Sequence, residues 1–275
     1  VGDFRFGVNL TVSASRAEWI DKCRTAEDLG YDVLCVPDHL DMPDPFPSLL
    51  LAAEYTERPR LCPYVLNAGF YPPALLARQV STARALIGNR LELGVGTGYA
   101  KEEFDRAGLP WPSPGERIDH LERTLAELDT DGLPVLVGGW GDRMLTLAAR
   151  RASIVGFTGT ASHRDGRLTT LAGLAKFGER VEFVRAALGE REAEFNVLVQ
   201  RVVLTEDRRS VLEQAAPYAP ELSPDELGEI PTLLVGTPAQ IAQQLSEHRE
   251  KLGLSYVTVL EPSMDAFASV IEYLS

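Results

Sequence analysis

"GYDVLCVPDHL" (Gly30–Leu40) is the stretch from which the fold of this chain can be read. A glycine ends a helical pattern, an apolar run rich in β-branched residues follows, and the run stops at Asp38 and His39. Glycine suits the left-handed position just past a helix end. Short continuous apolar runs mark strands buried on both faces, as in a parallel sheet. Two ionisable residues at the end of such a run have two readings. They close the strand and cap the next turn, or they form a functional rim.

Outward from this stretch the same unit recurs. Strand-like runs occupy 5–10, 33–37, 60–66, 90–98, 133–139, 153–157, 195–204 and 254–260. Helical periodicity follows each, over 15–29, 47–57, 73–87, 115–128, 141–151, 167–188, 238–252 and 264–274. In the first helix Trp19, Ile20, Cys23, Ala26 and Leu29 recur at helical spacing. Eight β-then-α units in 275 residues predict an α/β fold, a single (β/α)8 TIM barrel spanning residues 1–275. The largest irregular stretch, 206–231, follows a strand, which predicts a lid-like insertion on the C-terminal face.

Composition narrows the partners. Lys and Arg number 27 against 40 Asp and Glu, a net charge of −13, which repels nucleic acid and anionic membrane. No apolar run approaches the roughly 20 residues that span a bilayer, and no signal-peptide pattern opens the chain, so a cytoplasmic location is expected. Cys23, Cys35 and Cys62 lack metal-ligand spacing and read as buried hydrophobes, and no metal site is expected.

In a barrel, functional groups gather where strands end. That selects Asn9; Asp38 and His39; Asn67 and Phe70; "GVGTGY" (94–99); "GGWGDR" (138–143); and Thr158 with Gly159. The two glycine-rich turns are either tight turns or backbone cradles for a phosphate. Asp142 at a helix start would act as a cap and repel phosphate, with Arg143 as the offsetting charge. His120 and His248 fall within helices and read as surface or packing residues. His163 follows a serine, but no GxSxG elbow supports a hydrolase. His39 alone is aimed at the mouth by its strand, where an imidazole can move a proton near neutral pH.

Several blocks in order resemble the luciferase-like monooxygenase superfamily, in its branch of deazaflavin (coenzyme F420)-dependent oxidoreductases. They are "AEDLGYDVLCVPDHL", "YPPALLARQVSTARALIGNRLELGVGTGYAKEEF", "VLVGGWGDRMLTLAARRASIVG" and "LLVGTPAQIAQQLSEHREKLGLSYVTVL". The resemblance implies a TIM barrel that passes hydride between a deazaflavin and a small organic substrate, with FMN as the alternative cofactor and a monooxygenase as the alternative activity. It implies that His39 assists proton transfer, with Asp38 as its acidic neighbour near the ring. Val65, Leu66 and Asn67 match a strand end that often carries a non-prolyl cis bulge behind the ring. Thr97, Gly98, Gly138 and Gly139 match phosphate-binding turns, and Tyr99, Trp140 and Thr158 complete the candidate cofactor contacts. A homodimer is expected from the same likeness.

The departures keep a flavin-free barrel open, acting as a binding protein or a non-redox acid–base enzyme. Tyr99 stands where sugar-phosphate dehydrogenases of this family carry a catalytic Glu, Pro43 where they carry a Trp, and Ser153 where an Asp is usual. The connection "LAELDTDGLPVLVGG" lacks some fifteen residues that relatives carry between this helix and strand. An αβ connection lies on the bottom face, so this shortening is expected to touch barrel closure or assembly before chemistry.

Overall fold

The structure, a computed structural model, describes residues 4–11, 15–164 and 167–274. Its first half runs β1 (Arg5–Asn9), α1 (Arg16–Asp28), β2 (Val33–Val36), α2 (Pro45–Tyr55), β3 (Arg60–Pro63), β4 (Leu66–Asn67), α3 (Pro73–Ile87), β5 (Leu93–Gly96), α4 (Lys101–Arg106), α5 (Pro114–Glu127), β6 (Val135–Gly139) and α6 (Asp142–Arg151). The second half adds β7 (Ile154–Phe157), β8 (Thr160–Arg164), β9 (Arg167–Leu171), α7 (Leu174–Leu188), β10 (Glu194–Val199), β11 (Arg201–Leu204), α8 (Arg208–Ala215), α9 (Pro224–Leu227), β12 (Leu233–Gly236), α10 (Pro238–Leu252), β13 (Leu254–Leu260) and α11 (Met264–Leu274).

The main sheet has the order β3-β2-β1-β13-β10-β7-β6-β5-β4, with every pairing parallel. β3 and β4 are two pieces of one strand position, separated at a cis Tyr64–Val65 peptide. β3 pairs with β2 and β4 with β5, so the sheet closes on itself, and a bridge between Leu61 and Leu91 completes the seam. The predicted eight-position TIM barrel is therefore present.

Alternation along the strands divides two cores. Val8, Leu34, Leu61, Leu93, Val137, Val155, Val197 and Val257 face the helices. Val33, Cys35, Cys62, Tyr64, Leu136, Ile154 and Tyr256 fill the barrel. All three cysteines are free and buried, as expected. Halfway up the barrel, the Tyr64 hydroxyl lies 2.5 Å from Asn196 Oδ1, and Asn196 Nδ2 donates to Thr258 Oγ1 at 3.0 Å and the Tyr256 carbonyl at 3.1 Å. The bottom is closed by charge. Arg5 reaches Glu92 and Glu194, each at 2.6 Å, and Arg60 reaches Glu92 at 2.8 Å. The Arg5 guanidinium also lies 4.5 Å from the centre of the Tyr256 ring.

The structure corrects several expectations. The helix expected over 167–188 begins at Leu174, because β8 and β9 pair as an antiparallel hairpin. "RLTTL" carries adjacent β-branched threonines, which favour a strand over a helix. The strand expected over 195–204 breaks at Gln200, whose N–H donates to the Thr232 carbonyl at 2.8 Å. β11 then leaves the barrel and pairs with β12, a strand that the sequence reading left out. The 206–231 stretch is folded as α8, a 3-10 turn and α9, over its own apolar cluster of Leu212, Ala219, Leu227 and Ile230. α2 starts at Pro45 with Asp44 as its cap, ahead of the expected 47. The shortened α5–β6 connection leaves closure intact, since Leu93–Val95 and Val135–Val137 stay in register. Among the described residues, no helix is long and apolar enough to cross a membrane.

Candidate active site

All four residues of β2 are buried, and the chain emerges from it at Pro37 into the mouth. Asp38 does not project freely. Its Oδ2 accepts the Asn67 N–H at 2.9 Å, and the Tyr71 hydroxyl bonds the same carboxylate. This ties the end of β2 to the end of β4. Burial pushes the Asp38 carboxyl up to about 6, against the two hydrogen bonds that favour its charged form. The Tyr71 phenol is raised in turn, by burial and by the Asp38 charge. Asp38 therefore acts first as a clamp on the strand-3 bulge.

His39 sits one residue further out. Its Nδ1 lies 2.8 Å from Glu103 Oε1, and its Nε2 lies 3.4 Å from the Tyr99 hydroxyl, with the Tyr99 ring edge-on at 5.7 Å. The His39 and Glu103 side chains retain 27% and 14% of their exposure, so the pair is half-buried rather than a surface ion pair. Burial and the nearby Glu103 charge raise the Tyr99 phenol, which keeps it protonated. Glu103 was missed by the sequence reading because α4 is only 6 residues long and too short to show periodicity. Its acidic first turn, Glu102 and Glu103, was the available signal.

The glycines of "GVGTG" divide into two tasks. A Cβ on Gly94 would stand 2.4 Å from the Pro63 carbonyl oxygen, and one on Gly96 would stand 2.9 Å from Val65 Cγ2. These two positions clear space for the cis bulge at Val65. Gly98 has φ +69° and a Cβ there would strike Asn67 Oδ1 at 2.2 Å, so Gly98 lets the β5 turn lie against Asn67. Asn67 Oδ1 also accepts the Gly69 N–H at 3.1 Å. The Leu66 side chain is fully buried in the outer core, so only its backbone is available to a ligand. Thr97, the remaining turn residue, is half-buried beside Gly98.

Gly138 and Gly139 end β6, and α6 follows with Gly141 as its N-cap and no side-chain cap. The first N–H groups of α6 thus lack a side-chain acceptor, which suits an anion. Asp142 is the first helical residue, not the cap, and it pairs with Arg180. The expected offset from Arg143 is absent, because Arg143 pairs with Asp119 and donates to the Gly115 carbonyl. Trp140 packs edge-on against Phe177 at 5.3 Å, and Thr158 donates its N–H to the Gly139 carbonyl at 3.3 Å.

The other strand-end candidates divide as well. Asn9 is 5% exposed, with Oδ1 lacking a hydrogen-bond partner at the top of β1. Phe70 packs with Phe104 of α4 at 5.3 Å. His120 Nε2 lies 3.0 and 3.1 Å from the Ala68 and Tyr71 carbonyls, which fastens the turn after β4. His248 is buried against the Glu229 carbonyl at 2.8 Å, a packing role as expected. The Ser162 and His163 side chains lie outside the described residues. A cleft of about 540 Å³ opens beside the His39 turn, lined in part by Trp19, Met42, Pro43, Pro47 and Leu51.

A closed parallel barrel whose glycine-cleared mouth presents an imidazole held by a carboxylate defines a class of protein, and its relatives name it. The sequence profile of the luciferase-like monooxygenases matches residues 4–222, and this chain belongs to that family. It is 28% identical over 64% of its length to a 5,10-methylenetetrahydromethanopterin reductase of Archaeoglobus fulgidus, covering 60% of that protein. Over 39% of its length it is 35% identical to an F420-dependent glucose-6-phosphate dehydrogenase of Intrasporangium calvum, covering 36% of it. In the first curated relatives it matches, the chain spans 62% and 60% of their length. Among solved structures, an F420-dependent secondary alcohol dehydrogenase superposes with TM-score 0.76, covering 100% of both chains at 14% identity, a likeness of fold.

Proposed function

We propose that this protein is an oxidoreductase that moves hydride between a deazaflavin of the F420 type and a small organic substrate. One observation carries the reading: His39, held by Glu103 at 2.8 Å, stands on the rim of a mouth floored by the cis bulge. Gly94, Gly96 and Gly138 clear the floor around Val65, and the uncapped start of α6 offers backbone N–H groups where a phosphate needs them. The residues fit a flat ring bearing a phosphate. The bound cofactor would supply or accept the hydride. Val65 and the Leu66 backbone would back the ring, and Thr97, Gly98, Gly139 and the α6 start would hold the phosphate arm. His39 would move the accompanying proton, and Asp38 would keep the floor in place.

FMN is the competing occupant, because it joins a ring to a phosphate in the same way and would open oxygen chemistry. A flavin-free barrel loses ground, because Arg180 neutralises the Asp142 charge that argued against a phosphate. Separate fluorescence titrations with F420 and with FMN test the assignment. Micromolar binding of one identifies the cofactor, and binding of neither overturns the proposal.

The cleft between α1 and α2, whose lining mixes Trp19, Met42 and Leu51 with Arg16 and Asp41, is the proposed substrate side. The 206–231 segment is proposed as a cover on the β7 side of the mouth. It packs toward the hairpin that follows β7, where Leu222 meets the backbone at Gly173. We further propose a homodimer through α3, whose Leu75 and Leu86 are exposed on one face. A Leu86→Lys variant that elutes at half the native mass would support it, and an unchanged profile would count against it.

A further inference from the structure

We propose that Tyr99, rather than His39, is the residue that exchanges a proton with the substrate. His39 stands behind it as the relay, and Glu103 is the positioning residue that sets the His39 tautomer. The inference rests on the oxidoreductase reading above and adds the identity of the terminal group.

The geometry points this way from both ring nitrogens. Glu103 is within hydrogen-bond range of Nδ1, at 2.8 Å, and a carboxylate there can only accept, so Nδ1 carries the proton. Nε2 is then left as the acceptor, and the group facing it at 3.4 Å is the Tyr99 hydroxyl. The 3.4 Å separation is long for a hydrogen bond and leaves room to tighten when a substrate closes the site. Tyr99 is 46% exposed, whereas the His39 side chain retains 27% and has both nitrogens engaged. A substrate oxygen entering the mouth therefore meets the phenol. Tyr99 follows directly on Gly98, whose positive φ sets the turn against Asn67 and so fixes where the phenol starts.

The relay balances. For an alcohol substrate, a bound deazaflavin would accept the hydride from the carbon as the C=O bond forms. The hydroxyl proton passes to the Tyr99 oxygen while the Tyr99 proton passes to Nε2. The resulting imidazolium is stabilised by the Glu103 carboxylate until it loses a proton to solvent. Reduction of a carbonyl is the same sequence reversed.

The test uses the full chain without cofactor, so that its outcome is independent of which flavin binds. Histidine labelled with 15N reports the tautomer of His39, and tyrosine labelled at 13Cζ reports the Tyr99 oxygen. The assignments come from His39→Gln and Tyr99→Phe. The neutral ring is expected as the Nδ1–H tautomer, turning to Nε2–H in Glu103→Ala and returning to Nδ1–H in Glu103→Gln. The Tyr99 signal is expected to step as His39 titrates, and to lose that step in His39→Gln. An Nε2–H tautomer in the native protein, or a Tyr99 signal flat across the His39 titration, overturns the relay. Failure to bind F420 or FMN would instead overturn the oxidoreductase reading and leave these spectra unchanged.

Discussion

The two ends of this barrel both carry ionisable side chains, and they treat them in opposite ways. At the bottom, Arg5, Arg60, Glu92 and Glu194 form a balanced set of two cations and two anions at 2.6–2.8 Å. At the mouth, Glu103 holds His39, the Tyr99 hydroxyl faces the other ring nitrogen, and Asp38 is tied to Asn67 and Tyr71 with its carboxyl pushed up to about 6 by burial. At the bottom each charge has an opposite partner within hydrogen-bond distance, the arrangement that lowers the cost of burying it. The mouth keeps groups whose protonation can change at working pH, at a cost in stability. In one barrel, the same residue types are structural at the strand starts and poised for chemistry at the strand ends.

The sharpest way to break this contrast is at the bottom. Glu92→Ala removes the shared, fully buried acceptor of Arg5 and Arg60 and takes the partner carboxylate from Arg60, while Arg5 keeps Glu194. Urea unfolding should show a loss of about 3–5 kcal/mol. F420 or FMN affinity in the surviving folded fraction should stay at the native value. A loss well below this would mean that the network is solvated and the contrast false.

At the mouth the sign reverses for Asp38. Its folded carboxyl is raised from 3.8 to about 6, so its stabilising contribution is complete below pH 3.8 and is lost as pH rises through 6. Asp38→Asn keeps an acceptor for the Asn67 N–H and removes the buried charge. The variant should gain on the order of 2 kcal/mol at pH 8, with the gain shrinking toward zero by pH 4. A variant equally destabilised at both pH values would show that the carboxylate clamps without penalty.

Gly98→Ala probes the turn that carries Tyr99. The left-handed backbone and the contact with Asn67 Oδ1 should cost about 1–2 kcal/mol of unfolding free energy, with weakened cofactor binding. Tyr99→Phe is expected to show the smallest effect, within about 0.5 kcal/mol by urea unfolding, because its long contact to His39 contributes little to folding. A large loss there would make Tyr99 a structural residue and remove it from the chemistry.

Much of this was legible in the chain itself. The alternation of short apolar runs and helical periodicity predicts eight units, and the rule that barrel sites lie at strand ends selects His39 and Asp38 without any partner in view. The likeness to F420-dependent relatives placed a cis bulge at Val65–Asn67, and the structure has it at Tyr64–Val65. Where the reading failed, the cause was local. Gln200 divides the run "FNVLVQRVVL" into a barrel strand and an outer strand, and the polar pair Gln200–Arg201 is the only mark of the break in that run. The "RLTTL" hairpin strand merges with the following helix in the sequence because only Ala172 and Gly173 separate β9's β-branched run from α7's helical one.

What the sequence determined by itself was therefore the repeating unit and the rim, since each is encoded in neighbouring residues. The division of strand residues between the barrel interior and the helix layer was decided only by tertiary structure, because a run buried on both faces has no polar side to mark it. The pairing of His39 with Glu103, 64 positions away, and of Arg5 with Glu194, 189 positions away, was decided there too. Such pairs arise only when closure of the sheet brings distant strand ends together. For the same reason the role of Asp38 passed from free acid to clamp once Asn67 and Tyr71 were seen to meet it.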